Sequence, residues 1–189
     1  MTADDGLRPW MVYGERTIYD NRWVRLDLVD VEPPNEPRFE HHVVRLHRAA
    51  VTAVFDDADR VLMLWRYRFV PQQWGWELPG GLVNEGEDSA KTAAREVEEE
   101  TGWRPTALRH LMAYQPLVGM VDAPHDLFVG RGARYVGEPA QGDETGRVAW
   151  VPLGDVPEMM ARGELLGSGT PTALLHVMAF GLSSVTGSE

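Results

Sequence analysis

The chain of 189 residues contains no cysteine. That excludes a disulfide framework and thiol chemistry. It has no basic excess either: 18 Lys and Arg stand against 29 Asp and Glu, a formal net charge of −11. Such a balance argues against non-specific binding to nucleic acid or to an anionic membrane surface. No apolar run approaches the ~20 residues that span a bilayer. The opening MTADDGLRPW is acidic and polar, without the basic start and apolar core of a signal peptide. Internal repeats and low-complexity tracts are also missing. The expectation is a cytoplasmic protein of ordinary globular composition, 43% hydrophobic and 25% charged, with neither membrane nor nucleic acid as partner. A small anionic substrate stays compatible with the charge, because a bound metal and a few local arginines reverse the field inside a cleft.

What is there is concentrated between Gly81 and Trp103, GLVNEGEDSAKTAAREVEEETGW. Nothing from Ser89 to Thr101 breaks a helix. Asp88 or Ser89 can cap its first turn, and Gly102 suits the left-handed position that ends it. At about 100° per residue, Glu96, Glu99 and Glu100 share one arc of the helix. Ala90, Ala94, Val97 and Thr101 form the adjoining stripe that can pack on a sheet, with Lys91, Arg95 and Glu98 on the far side. Like charges so placed repel. Hard divalent cations neutralise such carboxylates, and Mg²⁺ typically takes one or two of them plus substrate phosphates. A bare acidic run is more often a solvated helix face.

The spacing decides between the two. Gly81, Glu87, Arg95, Glu96, Val97, Glu99, Glu100, Gly102 and Trp103 read G-x5-E-x7-R-E-U-x-E-E-x-G-U. This resembles the Nudix box, and a chance match at a given start is on the order of one in 10⁸. Trp103 departs mildly from the aliphatic residue usual at the last position. The resemblance implies an α/β/α sandwich with a mixed sheet, of α+β class. It also implies Mg²⁺ (or Mn²⁺) on Glu96, Glu99, Glu100 and the Gly80 carbonyl. Glu87 and Arg95 would tie the loop to the helix, with Gly81 and Gly102 as its structural turns.

The rest of the chain divides into an N-terminal β-strand module, residues 1–48, and a second part, residues 49–189. In the module WMVYGERTIYD and WVRLDLVDV are short alternating runs, the second a half-buried strand; EPPNEPR reads as a turn and FEHHVVRLH as the returning strand, so the two strands and their turn make a hairpin. A lone hairpin is marginal in water, so it must pack on other structure or a second subunit. Beyond it AAVTAVF and VLMLWRY flank a DDADR turn, FVPQQ is a loop, and WGWELPG is a strand ending in a Pro-Gly-Gly turn. RHLMAYQPL, DLFVGRGARYV and GRVAWVPL are further strands. VPEMMARGE and TPTALLHVMAFG are helices, the second with Thr170 as a cap and Pro171 in its first turn.

Outside the box the chain resembles the ADP-ribose and nucleotide-sugar pyrophosphatase branch. Arg66-Tyr67-Arg68 stands where that branch has Q-[YF]-R. Glu77-Leu78-Pro79-Gly80-Gly81 runs into the box, and Gly163-Glu164-Leu165 matches a feature of the tail. After the box, where ADP-ribose pyrophosphatases carry a Pro-Gly pair, Tyr114 to Gly119 has a proline without an adjacent glycine. The resemblance implies a homodimer that exchanges the N-terminal module, and hydrolysis of a nucleoside diphosphate sugar, ADP-ribose first. It implies Glu144 as general base, with Glu99 the alternative. Arg68 would contact phosphate, with Arg66 the weaker choice, and Trp23 and Phe39 would stack on the base, with Glu40 beside them. Trp74 and Trp76 read as core or cleft wall. His41 and His42 point to opposite strand faces and do not share a metal. The alternatives are a hydrolase of modified nucleoside triphosphates and a non-catalytic nucleotide sensor.

Overall fold

A computed structural model describes residues 8–140 and 146–182. In chain order its elements are β1 (Met11–Asp20), β2 (Val24–Glu32), β3 (Phe39–Leu46), β4 (Ala49–Phe55), β5 (Arg60–Arg68), β6 (Gln73–Glu77), β7 (Gly80–Leu82), α1 (Ser89–Thr101), β8 (Trp103–Pro105), β9 (Arg109–Tyr114), β10 (Val121–Asp122), β11 (His125–Arg131), β12 (Ala133–Tyr135), β13 (Arg147–Pro152), a 3-10 turn (Leu153–Asp155), α2 (Val156–Ala161) and α3 (Gly169–Phe180). They fall into two units. The first holds the described residues up to His47 together with Gln115–Ala123, and the second the remainder.

In the first unit β1, β2 and β3 form an antiparallel meander, and β10 adds to β3 in parallel. Alternation along β2 buries Asp27, Val29 and Val31. Asp27 is fully buried, and a buried charge needs partners. Its carboxylate accepts from Thr17 Oγ1 at 2.8 Å, Arg25 Nε at 3.0 Å and Arg45 Nε at 2.7 Å. Burial pushes this carboxyl up, but those hydrogen bonds outweigh it and hold it below the usual range. The sequence reading of RHLMAYQPL as one strand runs too far. β9 stops at Tyr114, ahead of Pro116, which has no N–H to give a ladder. Gln115 instead bridges to Asp122 and to the Ala123 N–H, each at 2.8 Å.

The second unit is built on a seven-stranded sheet of order β13-β5-β4-β11-β9, with β6 on β5 and β7 on β4. β4 and β11 run parallel while the other pairs are antiparallel, so the sheet is mixed. β4 is buried along nearly its whole length, because both of its faces are covered. Ala50 packs with Ala93 of α1 and with Phe128 of β11. Val54 and Leu62 pack with Val97 of α1. From the alternate positions Ala53, Phe55, Val61, Met63, Leu127 and Val129 pack with Ala173, Leu174 and Val177 of α3. Residues one apart on a strand face opposite ways, so α1 and α3 cover opposite faces and the layers are α/β/α, as expected.

Three local readings are corrected. The Pro-Gly-Gly segment is not a turn: Gly80 and Gly81 form β7 and pair with Val51 and Ala50. The packing stripe of α1 is rotated. Thr92, Ala93, Glu96, Val97, Glu100 and Thr101 are its buried residues, while Ala90 is exposed. Ala93, not Ala90, is the residue with sheet side chains to pack on. Finally, α3 starts at Gly169 after Ser168, and Thr170 does not cap it. The Thr170 hydroxyl accepts from the Leu78 N–H at 3.1 Å instead.

Candidate active site

α1 spans Ser89–Thr101 because its punctuation is local. Asp88 Oδ1 accepts from the N–H groups of Ala90 at 2.9 Å and Lys91 at 3.3 Å, satisfying donors that a first turn leaves open. Gly102 at φ 75° ends the helix, and its N–H donates to the Glu98 carbonyl. Ser89 is free of capping duty and donates to Asp126 at 2.7 Å.

Two box glutamates therefore sit on the packed face of the helix. Glu96 is 8% exposed and Glu100 3%. Burial pushes the Glu96 carboxyl up, the charges of Glu100 and Glu99 add to this, and Arg95 opposes them. Arg95 is not on the far side of the helix. Its Nη1 donates to Glu96 at 2.7 Å and Glu99 at 2.9 Å, and it forks onto Glu87 at 3.1 and 3.2 Å. These bonds hold Glu87 down at about 2. Gly81 lies against the same carboxylate: a Cβ there would overlap the carboxyl group of Glu96.

On the sheet side, Arg66 and Arg68 alternate along β5 and share the face of Leu62, the face that α1 covers. Arg68 clamps Glu77 of β6 with two bonds of 2.8 and 2.6 Å. Arg66 is 4% exposed and reaches Glu100 Oε1 through Nη1 at 2.7 Å. Its Nε stands 3.3 Å from Glu77 Oε2 but makes no aligned hydrogen bond. The second oxygen of Glu100 accepts from the Gly80 N–H at 2.9 Å. Arg66, Arg68, Glu77, Gly80 and Gly81 all line one cleft of about 1140 Å³, which Tyr67, Trp74, His125 and the start of α3 also border. Trp74 is half-exposed on the cleft wall, and Trp76 is core.

The structure thus brings together Gly80, Gly81, Glu87, Arg95, Glu96, Glu99 and Glu100, and it gathers Arg68 into the cleft. Arg66 and Glu77 are part of the same network. Their signal was present in the sequence only as a charged pair in strands, which periodicity cannot join to a helix glutamate more than 20 positions away. Trp23, Phe39 and Glu40 belong to the first unit. Trp23 is exposed, with the Arg22 guanidinium 4.5 Å over its ring. Phe39 meets Trp10 and His41 edge-on, each at 6.0 Å. Glu40 is paired with Arg16 at 2.9 and 3.0 Å. Along the register Val24↔Leu46 and Val31↔Phe39, Trp23 stands at one end of β2 and Phe39 at the other. At about 3.3 Å per residue they are roughly 26 Å apart in one chain. Glu144 lies outside the described residues.

Among the groups brought together, the carboxylate oxygens are of the kind that suits a hard divalent cation. As placed, Arg66 and Arg95 neutralise these carboxylates. Among the described residues no three Asp, Glu or His side chains converge on one metal position. The chemistry of the set fits such a cation, and its binding has to exchange arginine contacts for metal bonds.

Comparisons with known proteins agree with this geometry. Residues 45–166 match the family model described as the NUDIX domain. A CMP-5′-(N-acetyl-N-hydroxy-3-aminopropyl)phosphonate hydrolase of Streptomyces rubellomurinus is 47% identical over 91% of this chain and 84% of its own length. An ADP-ribose pyrophosphatase of Mycobacterium tuberculosis is 30% identical over 72% of this chain and 68% of its own. A solved structure titled as an ADP compounds hydrolase superposes with a TM-score of 0.78 at 17% identity, over 93% of this chain and 96% of that one, a likeness of fold. The chain belongs to the Nudix family of pyrophosphohydrolases, and within it to the branch that resembles the ADP-ribose pyrophosphatases.

Proposed function

We propose that this chain hydrolyses the anhydride joining a nucleoside 5′-monophosphate to a second phosphorus group. A CMP-linked phosphonate is the first substrate class and ADP-ribose the second. The observation that carries the order is the 47% identity, over 91% of the chain, to the CMP-phosphonate hydrolase. The missing Pro-Gly pair after the box points the same way. The ADP-ribose reading rests on the two ADP-ribose pyrophosphatases, 30% and 25% identical.

Glu96, Glu99, Glu100 and the Gly80 carbonyl would hold the cation, Mg²⁺ by the hardness of its oxygen donors. When bound, the cation neutralises phosphate charge and makes water more acidic. The attacking water needs a base within hydrogen-bond reach. Glu144 is assigned that role, with Glu99, the more exposed of the box glutamates, as the alternative. Water adds to one phosphorus, the bridging P–O bond breaks, and the bridging oxygen leaves with the other group. Arg68 lines the same cleft, where a guanidinium fork suits phosphate oxygens.

The same reading includes a homodimer. Every residue of β1 is exposed, including Trp10 just before it and Met11, Val12, Tyr13, Ile18 and Tyr19 within it. As the last strand of its sheet, β1 also leaves one backbone edge unpaired among the described residues, and such edges are normally covered.

The test is a substrate panel of a CMP-phosphonate conjugate, CDP- and ADP-sugars, ADP-ribose and nucleoside triphosphates, with Mg²⁺, resolving products by chromatography. Turnover of a CMP conjugate with the highest kcat/KM is expected. Glu100→Gln should lower it by at least about a hundredfold, the upper end of what supporting residues around a metal cost. Preference for triphosphates would overturn the substrate class, and equal activity of Glu100→Gln would overturn the site.

A further inference from the structure

Arg66 is the buried cation of the second unit's cleft, and its surroundings are unusual. The side chain is almost wholly buried, at 4% exposure, between two carboxylates that are themselves buried, Glu77 at 7% and Glu100 at 3%. It gives Nη1 to Glu100 Oε1 at 2.7 Å. Its Nε, although 3.3 Å from Glu77, has no hydrogen-bond partner. A buried guanidinium with an unmet donor is costly. A purely structural arginine would be expected to satisfy both sides of its fork. Glu77 cannot turn to oblige, because Arg68 holds both of its oxygens. Glu100 cannot shift freely, because the Gly80 N–H holds its other oxygen at 2.9 Å. The network Arg68–Glu77–Arg66–Glu100 is thus complete in charge and incomplete in hydrogen bonds.

We propose that Arg66 is a positioning residue that occupies the electrostatic place of the cation in the metal-free chain and yields Glu100 to the cation when it binds. This rests on the reading of Glu96, Glu99 and Glu100 as the metal ligands. Without a cation, Arg66 compensates the Glu100 charge inside the packed face of α1, where an unpaired carboxylate would be strongly unfavourable. A divalent ion brought to the same carboxylates repels the guanidinium and competes for Glu100 Oε1. The arginine contact is surrendered, and the freed fork, already lining the cleft, faces the space that the anionic phosphates fill. The unmet Nε donor is then answered by a phosphate oxygen. Cation binding and substrate binding are coupled through one side chain: the ion releases the arginine, and the arginine holds the anion.

Calorimetric titration of Mn²⁺ and Mg²⁺ into substrate-free wild type, Arg66→Gln and Arg66→Lys tests this, with metal-free melting recorded for each. Removing the guanidinium removes the competitor, so Arg66→Gln should bind the cation at least about tenfold more tightly, while its KM for the nucleotide substrate rises. An arginine that merely packs would give the opposite sign, since its loss would loosen Glu100 and weaken cation binding. Unchanged or weaker cation affinity in an Arg66→Gln protein that still melts cooperatively overturns the inference. A wild type that binds no divalent cation overturns instead the metal reading beneath it. Should Arg66→Gln not fold, the guanidinium resonance of Arg66 in wild type, assigned with Arg66→Lys, gives the same answer. It should shift on saturation with diamagnetic Mg²⁺, and a resonance that does not move refutes the exchange.

Discussion

Gly81 has an ordinary strand backbone, outside the left-handed region, so its conformation does not demand glycine. The demand comes from Glu96, whose carboxyl occupies the volume a Cβ would need. Gly81→Ala should therefore fold with an overpacking cost of about 1–3 kcal/mol, and its main effect should be displacement of Glu96. The expected result is a large loss of kcat/KM, together with a smaller shift in Tm on adding Mg²⁺ than the proposed metal site gives wild type, measured by kinetics and calorimetry. A Gly81→Ala enzyme with wild-type cation response would show that Glu96 is not held by this contact. A second test at this scale concerns Glu87, held at about 2 against an ordinary 4.5 mainly by the Arg95 fork. Its folded value is depressed, so its stabilisation is fully present above pH 4.5 and fades as pH falls from there toward 2. Wild type should lose its advantage in Tm over Glu87→Gln across that window, and parallel melting curves would remove the ion pair from the account.

At the scale of the element, α1 shows which features a sequence carries on its surface and which it hides. Its ends are set by Asp88 and Gly102, residues whose effect is local: the sequence shows Gly102 outright and narrows the cap to Asp88 or Ser89, between which the structure chooses Asp88. The Cβ of any residue at Gly102 would overlap the Gly137 carbonyl oxygen, and φ there is 75°. Asp88→Ala should cost about 1 kcal/mol, the usual worth of an N-cap. Gly102→Ala should cost clearly more, since it adds a backbone clash to the left-handed penalty. Chemical denaturation of both proteins checks the order, and equal costs would mean the Gly137 contact relaxes freely. The orientation of α1 was less legible. Small residues at Ala90 and Ala94 suggested the packing stripe, but the sheet offers Ala50, Phe128, Val54 and Leu62 along the line of Ala93 and Val97. Tertiary packing chose the face, and that choice turned Glu96 and Glu100 inward. The Gly80-Gly81 pair reads as a turn in sequence for the same reason. Glycines signal turns locally, and only the approach of β4 and of Glu96 explains a strand there.

For the whole molecule, the box gave the α/β/α layers through family likeness, while pattern alone reached only an α+β or mixed α/β layered domain. The segment Gln115–Ala123 was not foreseen as part of the first unit, since a two-residue strand has no periodicity to detect. The aromatic pair poses a sharper question. Trp23 and Phe39 stand roughly 26 Å apart on one sheet by strand spacing, too far to flank a single base. If both serve one nucleotide, they come from two chains. Light scattering should then give twice the 21.2 kDa chain mass. Trp23→Ala and Phe39→Ala should each raise KM as homodimers. After mixing and subunit exchange, one site of each heterodimer carries both changes and the other carries neither. With random exchange half of the dimers are mixed, so about a quarter of all sites regain wild-type affinity. Saturation kinetics of the mixture should then show a low-KM component that neither parent has. A mixture that behaves as the average of its parents would place the base on one chain, and the exposed β1 would then owe its apolar surface to something other than a shared site.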